Sequence, residues 1–197
     1  MTHLSPLPDA GQAAERARDL ARRDLRQRTY LWEDPAISGA AAREMAGADF
    51  LAAMVSGALP RPPVTAALDF GIVSVQPGTV AFEMVPSEIH YNPIGSVHGG
   101  VIATLCDSAC GCAVHSMLAA GLRYTSLDLS VKFLRAVTAS TGRLRCVGTV
   151  THLGSRTALA QATLSDESGT LYAHATSSCM IIRPGAPGPE ASEPRPA

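Results

Sequence analysis

The segment of residues 99–120 constrains the fold of this chain more than any other. It is built from Gly, Ala, Val, Ile, Leu, Cys, Met, Thr, Ser and His, and Asp107 is its only formally charged residue. A carboxylate in such a segment is costly to bury unless it is hydrogen-bonded or takes part in function. We therefore predict a buried central helix with Asp107 as a buried functional acid. A transmembrane helix is disfavoured by that central acid, by three glycines and by the lack of basic or aromatic flanks.

A polar loop, residues 92–100 (NPIGSVHGG), runs directly into this helix. Gly99 and Gly100 allow the backbone to turn tightly and leave the first N–H groups of the helix open to a ligand. An anion-binding helix start is thus followed, two turns later, by an acid. This combination is typical of an active site.

Composition bounds the classes of protein that the chain can form. Its 197 residues and 46% hydrophobic content are enough for one domain with a real core plus appendages. The charged fraction of 17% is low, which suggests that oligomerisation covers part of the surface. A net charge of -1 gives no reason to expect a nucleic acid or a membrane as partner.

The cysteines indicate a reducing compartment. They are odd in number and lie in apolar runs, as expected for small core residues: Cys106, Cys110, Cys112, Cys146 and Cys179. The first 28 residues show no secretory signal, so we expect a cytoplasmic protein. The spacing of Cys110 and Cys112 fits neither a zinc knuckle nor a CxxC redox pair, and we predict no metal and no cofactor.

Hydropathy periodicity predicts the remaining elements. An amphipathic helix is expected over 40–59, ended by the prolines that follow it. Period-two patterns predict two strands before the central helix and four after it, at 72–75, 79–85, 124–134, 144–153, 157–165 and 171–182. In the third of these strands, Leu127, Leu129, Val131 and Phe133 share one face. The simplest arrangement is an antiparallel sheet that curls around the helix, with a second copy covering the rest.

The domain boundaries follow from composition. Residues 1–40 are predicted to be a partly disordered N-terminal arm, in which 13–28 could form an exposed charged helix. Residues 41–183 are predicted to be the folded domain. Residues 184–197, rich in Pro, Gly, Ala and Glu, are predicted to be a disordered tail.

The order of elements, with NPIGSVHGGVIATLCD at residues 92–107, resembles the hotdog-fold acyl-CoA thioesterases, specifically the PaaI-like branch of phenylacetic acid degradation. Further matches are YTSLDL at 124–129, VKFLR at 131–135, GSR at 154–156 and AHATSS at 173–178. The resemblance covers about residues 47–182. It implies an α+β hotdog fold, in which a curved antiparallel sheet wraps around one long helix. It also implies an obligate dimer or a dimer of dimers, and hence a homodimer or homotetramer.

The resemblance implies that the protein hydrolyses acyl-CoA thioesters to free acid and CoA. Asp107 matches the acid that acts as nucleophile or general base. Gly99 matches the oxyanion donor, whose backbone N–H is aided by the helix dipole. Asp107 would reach the thioester carbonyl from one subunit, and the loop of the other subunit would hold the substrate.

Further roles are implied around these two residues. His98 would fix the loop and orient the carbonyl, and Asn92 would hold the attacking water or a carboxylate oxygen. Ser108 and Ser126 match positions at which some relatives place a water-positioning hydroxyl. The other substrate-binding candidates are Gly100 and the basic residues expected near the CoA phosphates, Lys132, Arg135 and Arg156. His115 is interpreted as structural.

The chemistry agrees with these roles, because thioester hydrolysis needs a base or nucleophile on one side of the carbonyl and an N–H donor on the other. No GxSxG motif is present, which argues against a serine-triad hydrolase. Two alternatives remain open. One is a hotdog hydroxyacyl dehydratase, and the other is a non-catalytic acyl-CoA-binding hotdog protein. The sequence leaves the preferred acyl group open.

Overall fold

The computed structural model of the protein describes Gly11 and residues 25–183. The chain divides into two units, with the boundary between Tyr30 and Leu31. In the first unit, residues 25–30 are irregular and exposed. The charged helix predicted over 13–28 lies mostly outside the described residues, and its last four positions are not helical. The predicted tail at 184–197 also lies outside them.

The second unit alternates helices and strands. Its helices are α1 (Pro35–Glu44), α2 (Gly47–Ser56), α3 (Pro63–Leu68) and the long α4 (Gly99–His115). Its strands are β1 (Phe70–Gln76), β2 (Thr79–Met84), β3 (Arg123–Ser126), β4 (Ser130–Phe133), β5 (Leu144–Leu153), β6 (Thr157–Asp166) and β7 (Leu171–Ile182). Short 3-10 turns occur at Glu88–His90 and Ala139–Thr141. The helix α1 falls largely within the segment that the sequence assigns to the arm.

One antiparallel sheet contains all seven of these strands. Its order is β1–β2–β5–β6–β7–β3, and β4 pairs with the same edge of β7 as β3. Helix α4 packs against most of the sheet, from β2 across β5 and β6 to β7. Gly148 of β5 permits this close packing, because a Cβ there would collide with the carbonyl of Ala109. The prediction of a curved antiparallel sheet around one central helix is confirmed.

The core lies between α4 and the concave face of the sheet. Helix α4 contributes Leu105, Cys106, Ala109, Cys110 and Val114, each without exposed surface. The sheet contributes alternate residues of its central strands, as a half-buried strand does: Val80, Phe82, Leu144, Cys146, Ala162, Leu164, Ala173 and Ala175. All five cysteines are free thiols, four of them buried and Cys112 half-buried.

The predicted helix over 40–59 is wrong in one respect, because it is two helices. Met45 and Ala46 have extended backbones that separate α1 from α2. The N–H of Gly47, at the start of α2, donates to the carbonyl of Leu118 at 2.9 Å. A tertiary hydrogen bond at the end of α4 therefore fixes a break that the continuous helical periodicity does not reveal.

The predicted strand over 124–134 is also divided. Five residues from Ser126 to Ser130 face four on β7, from Cys179 to Thr176, so one residue bulges out between β3 and β4. The carboxylate of Asp128 accepts the N–H of Ser178 at 3.0 Å, in place of a ladder bond. The shared apolar face is only partly buried in one protomer, since Leu127 and Phe133 are 57% and 54% exposed.

The central helix ends earlier than the apolar segment does. It was predicted to reach residue 120, but its last residue is His115 and Ser116 is its C-cap. The Ser116 hydroxyl donates to the carbonyl of Ala113 at 2.7 Å and accepts the N–H of Gly78 at 2.8 Å. This anchors the helix end to the β1–β2 turn. None of the helices in the described part of the chain is both long and apolar enough to cross a membrane.

Candidate active site

The loop that precedes α4 is held by its own polar side chains. Asn92 Oδ1 accepts the N–H groups of Ile94 and Ser96, and its Nδ2 donates to the Ser96 hydroxyl at 3.0 Å. The hydrogen bonds found for the Asn92 side chain therefore close the loop on itself. The loop is also pinned to buried His90, whose carbonyl accepts the N–H of His98 at 2.7 Å.

The first turn of α4 leaves one backbone donor unused. His98 is the N-cap, and its Nδ1 accepts the N–H of Gly100 at 2.9 Å. The N–H of Gly99 makes no hydrogen bond within the described residues. The ring of Phe133 covers this position, because a Cβ on Gly99 would lie 3.2 Å from its Cζ. The helix start therefore presents a free donor where the helix dipole also favours negative charge.

Asp107 lies two turns further along the helix. It is half-buried in the protomer rather than buried as predicted. Its Oδ1 accepts the hydroxyl of Ser126 from β3 at 2.9 Å. One carboxylate oxygen is thereby oriented, and the other has no partner in the described part of the chain.

Asp107 lines a cavity of about 470 Å³ that lies between α1–α3 and one face of α4. This volume is in the range of small-molecule sites. Among the described residues the lining is mostly apolar, and Asp107 is its only carboxylate. These residues are Pro35, Ser38, Gly39, Ala42, Phe50, Leu51, Met54, Arg61, Pro62, Pro63, Val64, Thr65, Ile72, Phe82, Asp107, Ser108, Cys112, His115, Arg123 and Tyr124. Such a cavity can hold an apolar group with one end at a carboxylate.

Cys112, the thiol among the lining residues named above, is not suited to attack. Burial, followed by the negative charge of Asp107, raises the pKa of Cys112 to about 12. The thiolate is the reactive form of cysteine, so Cys112 stays protonated near neutral pH. Within the described residues there is also no group of three His, Cys, Asp or Glu side chains placed to hold a metal ion.

His115 forms another part of the cavity wall. The residue is 7% exposed, and its ring packs edge-on against Phe50 with centroids 5.4 Å apart. Both ring nitrogens are enclosed and have no hydrogen-bond partner in the part of the chain that the structure describes. Burial lowers the pKa of His115 below its ordinary value of 6.5, so the ring is neutral at pH 7.

This lowered pKa predicts an acid sensitivity of the fold. At pH values between the pKa of His115 in the folded chain and 6.5, the unfolded chain binds more protons at this position than the folded chain does. Stability contributed by neutral His115 is therefore present above pH 6.5 and is lost as the pH falls towards the folded pKa. We expect the melting temperature to drop more steeply between about pH 7.5 and about pH 5.5 in the wild type than in His115→Phe. Parallel slopes would contradict this.

The structure brings together only some of the predicted site residues. Asp107 and Ser108 line the cavity, and Ser126 is joined to them by its hydrogen bond to Asp107. Asn92, His98, Gly99 and Gly100 are grouped at the helix start and do not line that cavity. Eight residues of α-helix separate Gly99 from Asp107, about 12 Å along the axis. An oxyanion donor and a base acting on one carbonyl must each lie about 3 Å from their atoms, so these two residues of one protomer cannot serve the same carbonyl.

The predicted basic residues lie elsewhere on the molecule. The Arg135 guanidinium donates to the carbonyl of Leu171 at 2.6 Å, and Lys132 is exposed on β4 opposite His174. Arg156 is exposed in the turn before β6. The cations at the cavity are instead Arg61 and Arg123, which the sequence does not single out. The helix periodicity gives one indication that His115 belongs to the cavity wall. It lies seven residues after Ser108, and therefore on the same face of the helix.

Comparison with known proteins places this geometry in a family. A profile described as "Thioesterase superfamily" matches residues 94–173. The structure is similar to the phenylacetic acid degradation-related protein of Ralstonia eutropha JMP134, with 30% identity over 66% of this chain and 98% of that one and a TM-score of 0.60. It is also similar to the E. coli PaaI protein, with 23% identity over 69% of this chain and 94% of that one and a TM-score of 0.60. A third similar structure is a Streptococcus mutans UA159 protein bound to acetyl CoA. It shares 27% identity over 58% of this chain and 89% of that one, with a TM-score of 0.53. No curated protein matches the chain.

A curved antiparallel sheet wrapped around one long helix is the arrangement of the hotdog fold. The chain belongs to the thioesterase superfamily. The predicted resemblance to hotdog-fold thioesterases related to phenylacetic acid degradation is confirmed.

Proposed function

We propose that the protein hydrolyses acyl-CoA thioesters to a free acid and CoA. The observation that carries this proposal is the position of Asp107. It is the single carboxylate among the described residues that line a mostly apolar cavity, and the Ser126 hydroxyl orients it. Membership of the thioesterase superfamily and the acetyl CoA bound by a related structure support a CoA thioester as the substrate.

The reaction follows from the groups present. Asp107 takes a proton from a water molecule as that water attacks the thioester carbonyl, or it attacks the carbonyl itself and water then hydrolyses the intermediate. The carbonyl oxygen becomes an oxyanion, which the free N–H of Gly99 stabilises. The carbon–sulfur bond breaks, and the CoA sulfur leaves and takes up a proton. His98 holds the donor turn through its bond to Gly100, and Asn92 acts by closing the loop.

Each complete site in this proposal is shared by two protomers. The distance of about 12 Å along α4 separates the Gly99 donor from Asp107 in one chain. A site that contains both groups therefore needs Asp107 of one protomer and Gly99 of the partner subunit. A two-fold dimer supplies two such sites. The exposed apolar side chains of Leu127 and Phe133, the latter over Gly99, give a surface for a second copy to cover.

The oligomeric state is the first testable consequence. Light scattering at micromolar concentration is expected to give a mass of at least twice the 20.5 kDa of one chain. A dimer or a tetramer of two dimers agrees with the shared site. A stable monomer that retains thioesterase activity would contradict it.

The activity itself is tested by mixing the purified protein with acyl-CoAs of different acyl size, from acetyl to octanoyl and phenylacetyl, and a thiol-reactive dye. Release of CoA above the uncatalysed rate is the expected result. Binding of these acyl-CoAs without release would favour the non-catalytic alternative and overturn the proposal.

A further inference from the structure

The wall of the cavity contains a polar group that no described residue satisfies. His115 is enclosed, yet neither of its ring nitrogens has a partner among residues 25–183. Buried polar groups in native proteins are nearly always hydrogen-bonded, and leaving one unpaired is costly. A neutral imidazole has one donor and one acceptor nitrogen, so a hydroxyl or keto oxygen can pair with it.

The His115 ring can change the atoms that it turns towards the cavity by rotating in place. His115 lines the cavity, and both of its ring nitrogens are enclosed in the orientation that the structure shows. A half-turn about the Cβ–Cγ bond exchanges ring nitrogens with ring carbons and leaves the ring outline unchanged. The edge-on packing against Phe50 is compatible with either orientation.

The positions of Asp107 and His115 set the length of a molecule that would contact both. They are eight residues apart on α4, or about 12 Å along the axis. An extended chain of about eight carbons with a terminal oxygen spans a similar length, given carbon–carbon bonds of about 1.5 Å in a zigzag. Most of the cavity lining, including Leu51, Met54 and Phe82, is apolar.

We infer that this cavity receives the acyl group of the substrate, and that this group is a medium-length aliphatic chain with a hydroxyl or keto oxygen near its far end, bound by His115. The inference rests on the proposed thioesterase activity. It makes His115 a specificity-determining residue rather than the structural residue that the sequence suggests.

Helix α1 lines one side of the cavity and offers a way to shorten it. The hydroxyl of Ser38 donates to the carbonyl of Pro60 at 2.7 Å, which holds α1 against the segment before α3. Gly39 lines the cavity, and a Cβ there would meet no atom within 4 Å. A larger side chain at Gly39 can therefore occupy space at the cavity wall without a clash at its Cβ. It also stabilises the helix, because glycine has a low helix propensity.

The first test compares 8-hydroxyoctanoyl-CoA with octanoyl-CoA. The wild type is expected to prefer the hydroxylated substrate by about tenfold in kcat/KM, the effect of one buried hydrogen bond. His115→Phe keeps an aromatic ring beside Phe50 and removes the nitrogens. It is expected to lose this preference while it still hydrolyses octanoyl-CoA. Equal kcat/KM values for the two substrates in the wild type would overturn the inference even if the variant failed to fold.

The second test fills the cavity. Gly39→Leu is expected to lower kcat/KM for both octanoyl substrates by at least about tenfold more than it lowers kcat/KM for acetyl-CoA, because only the longer chains reach that wall. Ala40→Leu is the matched control, since Ala40 is exposed on the same helix and does not line the cavity. Equal activity of Gly39→Leu and Ala40→Leu on octanoyl-CoA would overturn the placement of the acyl chain.

The failure of this inference is distinguishable from the failure of the proposed function. If the wild type released CoA from none of the acyl-CoAs, both would be overturned. Release of CoA from acetyl-CoA and octanoyl-CoA, with no hydroxyl preference and no effect of Gly39→Leu, would overturn only the assignment of the cavity.

Discussion

Asp107→Asn is expected to lower kcat by at least about a hundredfold, the usual loss when a positioned base is removed. The substitution keeps the shape of the side chain and keeps an oxygen that can accept the Ser126 hydroxyl. It removes only the ability to take a proton or to attack the carbonyl. Binding of acyl-CoA should remain, and isothermal titration with a slowly hydrolysed substrate analogue measures it.

Stability separates this role from a structural one. Asp107 is half-buried, and its single described hydrogen bond survives in the amide, so the free energy of unfolding is expected to change by less than about 1 kcal/mol. An acid needed only for folding would give the opposite pattern, in which Asp107→Asn unfolds more easily and its folded fraction stays active. That pattern would rule out the catalytic assignment.

Ser126→Ala is the matched control for the orientation of the acid. It deletes the hydroxyl that donates to Asp107 and leaves the carboxylate in place. We expect a loss of kcat that is clearly smaller than for Asp107→Asn, because a carboxylate that is less well oriented can still act as base. An equal loss in both variants would indicate that Ser126 takes part directly, in the water-positioning role that the resemblance implies.

The sequence is sufficient to predict the central helix and the curved sheet, because both depend on periodicities that a chain shows locally. Residues 99–115 are too apolar to lie anywhere but inside, and the strands from 144 to 182 alternate with few exceptions. The breaks were not predictable in the same way. The bulge at Asp128 depends on a hydrogen bond with Ser178. The break between α1 and α2 depends on a hydrogen bond with Leu118. Both partners are distant in sequence.

The candidate site, too, is predictable from the sequence only in part. The motif identifies Gly99, His98 and Asp107, but a motif gives no distances between protomers. Only the helix geometry shows that Gly99 and Asp107 are too far apart to act on one carbonyl within a single chain. His115 escaped prediction because a histidine at the end of an apolar helix is usually a satisfied core residue, and its missing partners are visible only in the packed structure.

Gly99→Pro is expected to lower kcat by about a hundredfold to a thousandfold, the loss measured when one oxyanion donor is removed. Gly99 is the first residue of α4, where proline is favoured because the missing N–H has no partner within the helix. The preceding His98 has φ −61° and ψ 134°, a conformation that a following proline allows. The substitution therefore removes the donor while the helix start is retained.

Gly99→Ala separates loss of the donor from crowding of the Phe133 ring. It adds a Cβ 3.2 Å from the Phe133 ring, as proline also does, but it keeps the N–H. We expect kcat to fall much less in Gly99→Ala than in Gly99→Pro. Comparable losses in the two variants would show that contact with Phe133, rather than the N–H, determines activity.

A mixture of Asp107→Asn and Gly99→Pro chains then tests the shared site directly. In a heterodimer, one site contains both substitutions and the other contains neither, if each site uses Asp107 of one protomer and Gly99 of the partner subunit. Co-expression in equal amounts produces heterodimers as half of all dimers, so the mixture should recover about a quarter of the wild-type activity from two nearly inactive parents. If both residues of a site came from one chain, every site would carry a defect, and the mixture would be no more active than its parents.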